Sequence, residues 1–192
     1  MANNELQRPG AGLPELERLL LSAGLNIGSA FISKRRALNR FKRESQKIWE
    51  LIDQTDIPIA SEPRLISRMM GMEDSSRDWS LLMVVHHLCL VNTDVLKIIN
   101  ALCDGVTPHG TLDIADYKPD PDVDLDVLDR FRMLNDDLEA AVESKKSLRS
   151  VAQMRHPWFG ALSAHGWLCL AAVHQGLHCR QAKRVLAKIG RV

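Results

Sequence analysis

Apolar residues recur at helical spacing in four long stretches. From about Ser33 to Asp53, Phe41, Ile48, Trp49 and Ile52 share one face, and Pro58 lies beyond the end. From about Asp78 to Leu102 the stripe is Leu81, Val84, Val85, Leu88, Val91, Val95, Ile98 and Leu102, and Gly105 stops it. A third stretch, from about Asp124 to Ser144, opens with acidic residues that suit a helix N-terminus. The last runs from about Ser163 to Ile189, with Gly190 after it. Upstream, residues 14–24 predict a short helix before Gly24 and Gly28, and residues 1–12, with Pro9, Gly10 and Gly12, predict a frayed end. Residues 56–75 read as a linker with one short helical piece around Pro63–Met70. No stretch alternates as a strand would.

Four long helices predict an all-α four-helix bundle. Between the second and third of them lies GVTPHGTLDIADYKPDPDVD, 20 residues rich in Gly, Pro and Asp. A loop that long inside a compact domain either crosses over or carries function. The expected organisation is an N-terminal extension over 1–32, partly helical, and one bundle domain over 33–192.

Composition narrows the function classes. The 192 residues are 45% hydrophobic and 26% charged, with a formal net charge of +1, so bulk electrostatics favours neither nucleic acid nor a membrane surface. No run of eighteen apolar residues suggests a membrane span, and the N-terminus lacks the basic start and cleavage site of a signal peptide. Cys89, Cys103, Cys169 and Cys179 show no CxxC spacing and sit on apolar runs, the pattern of reduced cysteines in a cytoplasmic protein.

The unusual feature is AAVHQGLHCRQ, residues 171–181. At about 100° per residue, His174, His178 and Gln181 fall on the same face as Trp167, Leu170, Leu177 and Val185. Two imidazoles buried without partners are costly. Spaced i and i+4 they project together and can share one ion through neutral nitrogens. A third ligand must come from another helix. On the second long helix His87 lies roughly 80° from the centre of the apolar stripe, within reach of the core, while His86 falls roughly opposite it. Three imidazoles on two helices leave positions open for water or substrate, as a catalytic divalent site requires. Cys179 points away and is a poor fourth ligand, and Cys89 is a weak one.

WSLLMVVHHL, residues 79–88, and H174-x3-H178-x2-Q181 resemble the helix signatures of the DinB/YfiT-like metal-binding four-helix-bundle superfamily. His156-Pro157-Trp158-Phe159-Gly160 ahead of the last helix is similar to an uncharacterised branch of it. The resemblance covers about residues 33–190. It implies a DinB-like bundle, a site of His87, His174 and His178, and zinc or nickel as the metal. It also implies a small-molecule substrate, with a low-molecular-weight thiol as co-substrate in some members, and a homodimer. Where similar sequences often carry a further histidine before the second last-helix ligand, this chain has Leu177.

Other residues are candidates for the surroundings of such a site. Gln181 can orient a ligand ring or serve as a core amide. His156, Trp158 and Phe159 either wall a pocket or plug an end of the bundle. His165 is expected to face solvent, and His109 lies in the crossover loop. Glu44 and Glu50 are the nearest prospects for a helper carboxylate. Lys34, Arg35, Arg36, Arg40, Lys42 and Arg43 form either an anion site or a solvated face, and the acidic crossover run is a conceivable partner within the fold.

Three functions follow. The first is a metal-dependent enzyme of the thiol S-transferase or hydrolase type. The second is a non-catalytic ligand-binding or dimeric interaction protein on the same bundle. A nucleic-acid binder using residues 33–43 is opposed by the near-neutral charge.

Overall fold

The computed structural model describes residues 5–189, so Gly190 and the first four residues lie outside it. Its helices are α1 (Glu15–Phe31), α2 (Lys34–Asp53), α3 (Ile57–Ala60), α4 (Leu81–Cys103), α5 (Asp126–Ser144) and α6 (Ala164–Ile189). The four long stretches of the sequence are α2, α4, α5 and α6.

Side-chain contacts give the topology. Ser45 meets Gln175, and Ile32, just before α2, meets His165, so α2 and α6 run parallel. Cys89 meets Val127 and Asn92 meets Asn135, so α4 and α5 are also parallel, which requires the long crossover between them. The remaining neighbours, α2 with α5 and α4 with α6, are antiparallel.

Besides a small cluster of Ile66, Met69, Met72, Leu177 and Val185, the core has two apolar layers. One gathers Phe41, Ile99, Leu138, Trp167 and Leu168, and the other Ile48, Trp79, Leu88 and Phe131. Between them each bundle helix contributes one polar side chain: Ser45, Asn92, Asn135 and Gln175. Gln175 Nε2 donates to Ser45 Oγ at 2.8 Å and Asn92 Nδ2 to Asn135 Oδ1 at 3.2 Å. Buried amides lose free energy in any register that leaves them unpaired, so this layer fixes how the helices slide against one another. By length and composition α4 would suffice to cross a membrane, but 56% of its most apolar window is buried here, and the bundle core accounts for its character.

Three expectations are corrected. The N-terminal helix does not stop at residue 24; α1 continues through Gly24 and Gly28 to Phe31. A glycine inside a helix costs only about 1 kcal/mol, too little by itself to end a helix that lies against α6. The helical piece of the linker is α3, and residues 63–70 hold the short strand Arg64–Leu65 in otherwise irregular chain. Strands do occur: β1 (Arg64–Leu65) pairs with β2 (Asp78–Trp79), and β3 (Met154–His156) pairs with β4 (Gly160–Leu162), both antiparallel. Segments of two or three residues are too short to show alternation. The turn of the second hairpin ends at Gly160, whose φ of 77° an L side chain rarely adopts.

Candidate metal centre

The structure brings His87, His174 and His178 together. The Nε2 atoms of His87 and His178 each lie 3.1 Å from Nε2 of His174, and all three fall within 4.8 Å of one another. Zinc–nitrogen bonds of 2.0–2.1 Å at tetrahedral angles set ligand nitrogens about 3.3 Å apart, close to this spacing.

The hydrogen bonds behind the rings settle the tautomers of two of them. His87 Nδ1 is 2.6 Å from the Tyr117 carbonyl, which can only accept, so Nδ1 carries the proton. Gln181 Nε2 donates to the Ser76 carbonyl at 2.7 Å, which leaves its Oε1 to accept from His178 Nδ1 at 2.6 Å. Both rings therefore turn a bare Nε2 lone pair toward His174. The His174 ring can offer one proton at that nitrogen, too few for two acceptors. Protonating the cluster is no remedy. Burial pulls His87 down to about 4, and burial with the neighbouring imidazoles holds His174 and His178 well below the ordinary histidine range. Three neutral imidazoles with converging lone pairs are a donor set that a divalent cation satisfies. The residues fit the metal.

Local sequence explains the placement. Ser80 caps α4, its Oγ accepting from the Met83 N–H at 3.1 Å, and this fixes where the helix starts and so where His87 points. Trp79 walls the site, with its ring stacked on His178 at 6.0 Å and tilted against His87 at 5.0 Å. Lys118 lies over the same Trp79 ring, 5.6 Å from its centroid, and donates to the Ser75 carbonyl. Burial lowers its pKa.

The cluster opens on a cavity of about 700 Å³. Leu21 and Leu25 of α1, Val91, Val95 and Ile98 of α4, and Leu170 and Leu177 of α6 give it apolar walls. His156, Trp158 and Phe159 line it as well, so the HPWFG hairpin is a pocket wall rather than an end plug. His156 stacks on Phe159 at 4.7 Å, and its Nδ1 accepts from the Trp158 N–H at 3.0 Å, which puts its own proton on Nε2. Burial holds it near pKa 4, so at neutral pH it is an uncharged donor.

Gln181 is fully buried and orients the His178 ring. Other expectations are revised. His165 does not face solvent; it is 6% exposed, with Nε2 hydrogen-bonded to the Ser29 and Ile32 carbonyls at the end of α1. Glu44 and Glu50 do not line the cavity, and Glu44 is paired with Lys47. Cys89 and Cys179 are buried in the core, and the four cysteines are free. His86 accepts from the Asp120 N–H, outside the cavity, and His109 is exposed. The acidic crossover run does not neutralise residues 33–43: Lys34 donates to the Val142 and Lys145 carbonyls, and Lys42 pairs with Glu139 and Glu143. The contribution of Tyr117 comes from a backbone oxygen, and the length of the crossover loop was the one signal for it.

No protein-family model matches the sequence, and no curated protein matches it. Solved structures share the fold, among them the following two. TT2238, a four-helix bundle protein, is 24% identical, with a TM-score of 0.54 over 79% of this chain and 98% of its own. YfiT from Bacillus subtilis, described as a probable metal-dependent hydrolase with an unusual four-helix bundle topology, is 15% identical, with a TM-score of 0.57 over 83% of this chain and 90% of its own. The likeness bears out the four-helix bundle that the sequence resemblance implied.

Proposed function

We propose that the chain is a metal-dependent enzyme whose active site is the cavity floored by His87, His174 and His178. The observation that carries this reading is the surplus of lone pairs: two fixed Nε2 acceptors converge on a third nitrogen with one proton to share. The description of YfiT as a probable metal-dependent hydrolase supports it. The metal would be zinc or nickel, both of which accept imidazole nitrogen. His87, His174 and His178 would hold the ion, which would supply Lewis acidity to favour a thiolate at neutral pH and to polarise a carbonyl.

The remaining groups have separate tasks. Tyr117 and Gln181 hold the Nδ1 protons of His87 and His178, so that both rings stay neutral and aimed. Trp79 and the apolar walls exclude water from the reacting atoms. His156 Nε2–H is an uncharged donor for a substrate oxygen or leaving group.

Within this class we favour transfer of a small thiol over hydrolysis. Both carboxylates in the cavity lining are already engaged: Glu73 accepts from the N–H groups of Gly10 and Gly12 and from Ser75, and Asp94 from Tyr117 and Lys97. Neither is free to take a proton from water. A thiol, with an ordinary pKa near 8.5, needs much less assistance.

Metal analysis of untagged wild-type and His174→Ala protein by mass spectrometry, alongside conjugation of a small thiol to monochlorobimane, tests the proposal. About one zinc or nickel per chain, with metal and turnover both lost in the variant, is the expected result. Turnover that persists in metal-free His174→Ala would refute it.

A further inference from the structure

The cavity is apolar, yet its charged lining is one-sided. Arg36, Arg40, Arg43, Lys118 and Arg180 face it, against only Glu73 and Asp94. Both of those carboxylates are spent on other donors, and Lys118 is tied to Ser75. The arginines are not equally committed. Arg36, Arg40 and Arg43 stand at i, i+4 and i+7, on one face of α2. Among the described residues Arg43 reaches Glu44 at 3.4 Å, whereas Arg36, Arg40 and Arg180 have no carboxylate within 4.0 Å and their side chains make no hydrogen bond. Arg40 is half-buried in this state. Of the other cations of the same helix, Lys34 takes carbonyls, Lys42 takes Glu139 and Lys47 takes Glu44, while Arg35 is exposed outside the cavity lining. Arg36 and Arg180 line the cavity while staying exposed and Arg40 is half-buried there, so their guanidinium donors are free toward the cavity among the described residues.

The geometry points to a substrate that is an amphiphilic anion: an organic acid whose apolar body fills the cavity and whose carboxylate or phosphate is held by Arg36 and Arg40, with Arg180 across from them on α6. An arginine fork matches a planar or tetrahedral oxyanion bidentately, and apolar walls strengthen the pairing. Leu21 and Leu25 of α1 and Trp158 and Phe159 of the hairpin take the body. This names the substrate class for the site proposed above, but the recognition it describes rests on the arginines and does not need the metal.

Three ten-carbon probes with different heads separate the possibilities: decanoate, decanol and decyltrimethylammonium. Each is titrated against anilinonaphthalene sulfonate fluorescence on zinc-loaded and on EDTA-treated wild type, on Arg36→Gln/Arg40→Gln, and on His174→Ala. Decanoate should bind at least about tenfold tighter than decanol to the wild type, with or without zinc, and the ammonium probe weakest. The double variant should lose that preference while keeping its decanol affinity, which shows the cavity intact. His174→Ala should keep it. Decyl phosphate then ranks phosphate against carboxylate heads. Equal binding of decanoate and decanol by the wild type would overturn the inference, as would failure of all three probes to bind. So would a preference that survives in the double variant but vanishes in His174→Ala, because the anion would then sit at the histidines. An absence of metal in the wild type would sink the enzymatic reading and leave the anion preference in EDTA-treated protein to be judged separately.

Discussion

Gln181 offers the sharpest separation of fold from site. It lies fully buried between two partners: its Oε1 accepts from His178 Nδ1 at 2.6 Å, and its Nε2 donates to the Ser76 carbonyl at 2.7 Å. Gln181→Leu removes both. Each buried group left without a partner costs about 1–3 kcal/mol, and leucine returns part of that through apolar packing, so the metal-free variant should lose roughly 2–4 kcal/mol. That is measurable as a lower urea midpoint in a protein of ordinary stability. The effect on metal is distinct. Without its acceptor the His178 ring is free to turn, and loss of such an outer partner lowers metal affinity about 10–100-fold, or about 1.4–2.7 kcal/mol. Gln181→Glu dissects the two. It keeps an acceptor for His178 and faces the Ser76 carbonyl with a second oxygen, so it should hold zinc nearly as well as wild type while still losing stability. Zinc competition against a chromophoric chelator reads the affinity, and urea denaturation of metal-free protein reads the fold. A leucine variant whose zinc Kd stays within about twofold of wild type would refute the argument that Gln181 aims the ring.

Two further outcomes follow from the same geometry. A Cβ added at Gly24 or Gly28 meets nothing within 4 Å, and neither residue has a positive φ, so Gly24→Ala and Gly28→Ala should each stabilise α1 by about 0.5–1 kcal/mol. Thermal melts of the metal-free protein check this, and a lower Tm would contradict it. The buried histidines make that protein acid-labile: the unfolded chain takes protons near pH 6.5, but folded His87 and His156 do so only near 4. Stability is therefore complete above 6.5 and falls as pH drops toward 4. Urea midpoints at pH 7.5, 6 and 5 should decline, in a window where most carboxylates stay ionised, and a flat or rising series would contradict the shifts.

Much of the site is legible because it lies on long periodic helices. His174 and His178 announce themselves as polar residues at i and i+4 on an apolar stripe, and the wheel chooses His87 over His86 by angle alone. The structure places these three rings together and leaves His86 outside the cavity. Trp79 and Ser80 carry the resemblance as letters, and their physical roles appear only in three dimensions: one ring walls the histidines and one hydroxyl starts the helix. His165 fails for a connected reason. Ending the first helix at residue 24 conceals the carbonyls of Ser29 and Ile32, which that imidazole satisfies. The misread helix and the misread histidine are one error.

What sequence cannot display is a partnership whose donor or acceptor is backbone, or whose two halves are far apart in the chain. The acceptor that fixes His87 is the carbonyl of Tyr117, 30 residues away, and any residue type would supply the same atom. The basic run of α2 poses the complementary difficulty. Its composition allows a solvated face or an anion site, and net charge does not discriminate, because every cation is counted alike. Only the bundle sorts them. Lys34 turns to carbonyls at the end of α5 and Lys42 to carboxylates on it, while Arg36 and Arg40 line the histidine cavity without a carboxylate partner among the described residues. The same parallel pairing of α2 with α6 that the long crossover makes possible brings those arginines beside the last-helix histidines. Topology thus joins two motifs that are 130 residues or more apart in the sequence, and the arginines and the histidine cluster line one pocket, as the proposed anion and metal sites require.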